Sequence, residues 1–96
     1  MDKYERILFI DELISSGCRP NQKEIIDAIR AKCGGIDRTT VWRDLKDLET
    51  KFHAPLDIQE YYDADGRKKC GYIYTEPKFR VPAMFSSADK IKSAQL

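Results

Sequence analysis

Apolar residues in the first part of the chain recur at helical intervals. Ile7, Leu8, Ile10, Leu13 and Ile14 fall on one side of a 3.6-residue period, so residues 2 to about 16 are predicted to form a helix with a broad apolar face. Phe9 widens that face, which needs cover on two sides within the domain or contact with a second copy. Gly17 ends the helix, with Pro20 just beyond it. A second helix is predicted from Asn21, whose side chain caps the first turn while Glu24 reaches back to it. Ile25, Ile26, Ile29 and Cys33 supply its inward stripe, and Gly34-Gly35 breaks it.

A third helix follows, with Asp37 as N-cap. Val41, Leu45, Leu48 and Phe52 are spaced by four, three and four residues and share one side. Thr39, Arg43, Lys46 and Thr50 project from the opposite side, with Arg38 and Trp42 flanking the two. After Pro55 the pattern changes to strand. Residues 56 to 62 and 68 to 74 are rich in aromatic and β-branched types, and Asp65-Gly66 between them signals a hairpin turn. Residues 76 to 82 read as extended because of Pro77 and Pro82. Ser86 or Ser87 caps a short last helix running towards Leu96. The predicted class is α+β: three helices, a β-hairpin wing and a short C-terminal helix. This divides into a winged helix-turn-helix domain over residues 1–76 and a linker with a short helix over 77–96.

Composition narrows the function. The chain has 96 residues, 42% hydrophobic and 34% charged, which fits one globular domain. No apolar run nears the roughly 20 residues that span a bilayer, and residues 1 to 5 lack the layout of a secretory signal, so a cytoplasmic protein with no membrane contact is expected. Cys18, Cys33 and Cys70 are widely spaced and His53 is the one histidine, so no four-ligand zinc site is expected. The thiols read as reduced, and buried or inert, with a reactive or redox-sensing thiol as the other reading. No cofactor is expected either. Paired carboxylates, a nucleophile with its base and a phosphate-binding loop are all missing as patterns, and His53 beside Ala54-Pro55 reads as a turn residue, so no enzyme is expected.

Seventeen basic residues against sixteen acidic ones give a net charge of only +1, which is low for a nucleic-acid binder. Their distribution matters more. Arg38 to Lys46 and Arg67 to Lys69 concentrate positive charge, whereas the first sixteen residues hold four acids and two bases. Two short helices joined by a tight turn suit DNA, because the second can lie in the major groove. Arg43 is the candidate base-reading residue, since its planar fork can donate twice to guanine. Lys46 suits a phosphate, Thr39 and Thr50 suit thymine methyls or phosphates, and Arg38 suits the backbone or an outer base. Arg67, Lys68 and Lys69 follow the hairpin tip, where a wing meets the backbone or minor groove. Trp42 has two readings, DNA contact or packing beneath the hairpin. Asp44 is read as a structural hydrogen-bonding group, and Asp63 and Asp65 as turn formers.

The stretch from Gly35 through Asp37, Arg38, Thr39, Thr40, Val41, Trp42, Arg43, Asp44 and Leu45 to Glu49 resembles the recognition helix of the N-terminal winged helix in WYL-domain transcriptional regulators of bacteria. Gly71 to Tyr74, Glu76 to Phe79 and Val81-Pro82 are similar to that family's exit from the wing. The resemblance covers nearly the whole chain. It implies a DNA-binding domain, usually dimeric, with Arg38, Thr39, Thr40, Trp42, Arg43 and Lys46 facing double-stranded DNA. Two departures stand out. Asp37 replaces the family's usual serine, and the downstream effector domain is absent. The chain thus reads as an excised DNA-binding portion, with a stand-alone relative as the other reading. The competing function is a winged-helix module that binds protein, motivated by the near-zero net charge and the broad first helix.

Overall fold

The computed structural model describes residues 2–82. Three helices, α1 (Lys3–Ser15), α2 (Gln22–Cys33) and α3 (Arg38–Thr50), precede an antiparallel hairpin of β1 (Leu56–Tyr62) and β2 (Lys68–Tyr74). This is the α+β winged-helix layout expected from the pattern. The expected helix after Ser86 lies outside the described residues. No helix among those described is long and apolar enough to cross a membrane.

Each helix starts where a side chain satisfies its first turn. Asp2 accepts from the Glu5 amide and Asp37 from the Thr40 amide, both at 2.8 Å. Asn21 and Glu24 form the reciprocal capping box, at 2.8 and 3.0 Å. Losing one such cap costs about 1 kcal/mol. Gly34 closes α2 at φ +89°, where a side chain would be strained.

The core is built from one stripe per helix: Ile7, Ile10 and Ile14; Ile25, Ile26 and Ile29; Val41, Leu45 and Leu48. Ala54, Tyr74 and Val81 complete it. Burying each large aliphatic side chain is worth about 1.5–3 kcal/mol. Phe52 lies past the end of α3 and packs only partly. Phe9 is also partly covered, with the Lys32 ammonium 4.8 Å from its ring centre. Cys33 does not join the α2 stripe. It is exposed, as are Cys18 and Cys70, so of the two alternatives expected for the thiols, buried or inert, burial does not hold. Cys33 is the last residue of α2, where the helix has already run past the core.

Two carboxylates are buried in this apolar setting, Asp11 and Asp44, each 1% exposed. Asp44 takes Arg6 from α1, at 2.7 Å. Asp11 accepts from the Tyr74 hydroxyl at 2.7 Å and from Arg80 Nε at 2.8 Å. Among the described residues no buried side-chain nitrogen or oxygen lacks a hydrogen-bond partner. Phe79 meets Tyr74 edge-on at 4.9 Å and Val81 is buried, so Phe79 and Val81 pack with the rest of the core.

The hairpin is pinned to the loop between α1 and α2. The Tyr72 amide donates to the Pro20 carbonyl at 2.9 Å. A Cβ at Gly71 would lie 1.9 Å from the Arg19 carbonyl oxygen, so glycine is required for that close approach. The Arg19 guanidinium then stacks 3.9 Å over the Tyr61 ring. At the tip, Asp63 Oδ1 accepts from the Asp65 and Arg67 amides, both at 2.9 Å, and Gly66 adopts φ +78°. Asp63 therefore shapes the turn, as expected.

Candidate nucleic-acid interface

With Val41, Asp44, Leu45 and Leu48 buried, the opposite stripe of α3 must face outward. Thr39, Arg43, Lys46 and Thr50 are all exposed. Thirteen residues make a cylinder about 20 Å long. The side chains of Arg38 and Arg43 make no hydrogen bond or ion pair among the described residues, which leaves their donors available. The Thr50 hydroxyl donates to the Lys46 carbonyl at 2.8 Å, so its proton is already used and its methyl group and lone pairs remain.

Neighbouring elements border this stripe along the flank that carries Trp42. Arg38, Thr39 and Trp42 share an open depression of about 350 Å³ with Gln22, in the first turn of α2. Trp42, Leu45, Lys46 and Glu49 line a second depression with Leu56 and Tyr72 of the hairpin base. Trp42 thus stands between the two, 51% exposed, so the hairpin borders its ring without covering it. The Lys46 ammonium lies 5.8 Å from the centre of that ring.

Thr40 departs from the set that the family resemblance implies. It is half-buried and sits round the helix from Trp42, with its amide engaged by Asp37. That bond, with a lesser contribution from Arg43, holds the Asp37 carboxyl below the usual carboxylate range. The acid at the N-terminus of α3 therefore has a structural use.

On the wing, Arg67 is exposed and its side chain has no partner among the described residues. Lys68 pairs with Glu60 at 3.1 Å and Lys69 with Asp63 at 3.6 Å. Exposed pairs of this kind are worth at most about 1 kcal/mol, so a phosphate can displace either carboxylate. Lys68 and Lys69 point to opposite faces of the hairpin because strand side chains alternate.

Several residues escaped the sequence reading. Glu49 places an acid in the cleft between α3 and the hairpin; burial first, and Glu49 second, push the Tyr72 hydroxyl above its ordinary pKa. Ile58 and Tyr62 are large and exposed, and the alternation of β1 was the available signal. Arg19 offered none, since its stacking partner Tyr61 lies far along the chain, in the hairpin. Comparison with protein-family models, curated proteins and solved structures finds no match to this chain.

Proposed function

We propose that this protein binds double-stranded DNA sequence-specifically, as the DNA-binding domain of a cytoplasmic transcriptional regulator. In this reading α3 enters the major groove, whose width of about 12 Å admits one helix. The hairpin rests on the adjacent backbone or minor groove. The observation that carries the reading is the outward stripe of α3: Thr39, Arg43 and Lys46 are exposed together, beside Arg38 and Trp42, while the reverse side of the same helix is buried. Arg43 reads a base edge, and Arg38 and Lys46 neutralise phosphates. Arg67, Lys68 and Lys69 extend the contact from the wing. Two copies on one DNA site, and a downstream effector domain, follow from the resemblance to WYL-domain regulators. Titration of a duplex at increasing salt tests the core of the proposal. About three to five neutralised phosphates give a slope of log K against log salt of about −3 to −5. Undetectable binding to random and selected duplexes at low salt sinks the reading.

A further inference from the structure

One buried carboxylate ties three parts of the chain together. Asp11 of α1 accepts from the Tyr74 hydroxyl on one oxygen and from Arg80 Nε on the other. Tyr74 is the last residue of β2 and stands opposite Leu56, at the base of the hairpin. Phe79, from the segment that carries Arg80, meets the Tyr74 ring edge-on. The hairpin base is therefore held to α1 through a node that Arg80 completes from beyond the wing. Lys68, near the tip, stands six positions before Tyr74. Six strand residues span about 20 Å, so a tilt of about 5° at the base moves the tip by about 2 Å. A shift of that size takes a hydrogen bond out of range.

We propose that Arg80 is a positioning residue of the wing: through Asp11 and Tyr74 it fixes the angle of the hairpin against α1, and with it the reach of the wing tip. The assignment rests on the DNA-binding reading and adds to it a point of control outside the interface. A buried carboxylate needs its charge balanced as well as its lone pairs filled. Tyr74 fills a lone pair but is neutral, and the paired cation is Arg80. Without that cation the carboxylate is drawn towards water, and the Tyr74 hydroxyl loses its acceptor. The latch is reachable from outside. The Arg80 side chain is 55% exposed, although Asp11 is buried. It lines a depression of about 330 Å³ together with Glu5 and Glu12. Those acids offer the guanidinium a second carboxylate, so the latch can open towards them. Arg6 holds α3 to α1 separately, through Asp44, so α3 keeps its outward stripe when the hairpin is released.

The full chain, titrated by fluorescence anisotropy with a duplex it has selected from a random library, provides the test. Arg80→Ala, Arg80→Lys, Arg67→Ala, Arg43→Ala and the double variant Arg80→Ala/Arg67→Ala are measured beside it. Hydrogen exchange at the Tyr72 and Ile29 amides is followed without DNA. Arg80→Ala is expected to weaken binding about fivefold and to make the slope of log K against log salt shallower by about one. Arg80→Lys is expected to recover part of the loss, since an ammonium still pairs with Asp11. In the Arg67→Ala background, Arg80→Ala is expected to cost less than about twofold, because the wing contact is already weakened. In the free protein it should speed exchange at Tyr72 about tenfold and leave Ile29, in α2, unchanged. Loss of global stability alone speeds both amides and leaves the salt slope as it was. That result, equal losses in the two backgrounds, or an unchanged Tyr72 amide overturns the assignment. If Arg43→Ala still impairs binding, the reading of α3 survives such a failure. A parent protein that binds no duplex removes the DNA reading and the wing's role with it, while the Tyr72 amide still decides whether Arg80 holds the hairpin.

Discussion

Arg6 of α1 donates from Nε to Asp44 Oδ2 of α3 at 2.7 Å, and its Nη2 reaches Oδ1 at 3.4 Å. Asp44 follows Arg43 directly, so the pair fixes how α3 is rotated against α1 and hence which stripe it offers outward. A carboxylate 1% exposed has lost its hydration, and the guanidinium fork supplies two donors in return. The bond to Asp44 raises the pKa of Arg6 further above its ordinary value, despite the opposing effect of burial.

Breaking one side of this pair is therefore expected to cost more than removing both. Arg6→Ala strands a buried charge and should destabilise by about 3–5 kcal/mol in urea denaturation. Arg6→Met combined with Asp44→Leu should recover most of that loss, because an apolar pair of similar volume needs no hydration. A double variant less stable than either single one contradicts the coupling.

Gly71 and Gly35 should respond differently to one methyl group. Gly71→Ala drives a Cβ into the Arg19 carbonyl, forcing the hairpin away from the loop at about 1–3 kcal/mol. At Gly35 the added Cβ meets nothing within 4 Å, so Gly35→Ala should stay within about 0.5 kcal/mol of the parent. Thermal or urea midpoints compare the two. Equal midpoints contradict the close approach of β2 to that loop.

Stability should change at both ends of the pH range, through different groups. Lys3 chiefly holds the Asp47 carboxyl below its ordinary value, and the Arg67 amide does the same for Asp63. Folded pKa values below the unfolded ones mean that this stabilisation is present above about pH 3.9 and is lost as pH falls further. Burial, followed by the bond to Asp11, pushes the Tyr74 hydroxyl far up. A raised pKa has the opposite sign: its stabilisation is present below about pH 10 and is lost as pH rises beyond it. Tyr74→Phe should lose about 1.5–3 kcal/mol near neutrality and flatten the alkaline limb, with Tyr72 supplying what remains. Urea midpoints across the pH range check this. An alkaline fall of equal size in parent and variant contradicts the assignment to Tyr74.

Local signals made most of the fold legible. The capping residues Asn21 and Asp37, the stripe Val41–Leu45–Leu48 and the strands 56–62 and 68–74 each depend on neighbours a few positions away, and each lies where the pattern predicts. The partners of the buried charges were not legible. Asp44 reads as a hydrogen-bonding residue from its place near the apolar side, but Arg6 lies 38 positions away, and Tyr74 and Arg80 lie 63 and 69 positions from Asp11. Periodicity places a residue on a face of its own element and says nothing of which distant element covers it. The candidate site was legible to the same extent. The exposed stripe of α3 follows from spacing alone, whereas Glu49 joins the surface only once the hairpin is set against α3.

The most direct measurement is selection from a random duplex library by the parent chain and by Arg43→Ala and Lys46→Ala. The parent should enrich a definite sequence. Arg43→Ala should lose the preference at one or two positions, worth about 1–3 kcal/mol, while Lys46→Ala weakens all duplexes alike and keeps the preference. Enrichment of the same sequence by parent and Arg43→Ala, or of none by the parent, contradicts the placement of α3 in the major groove.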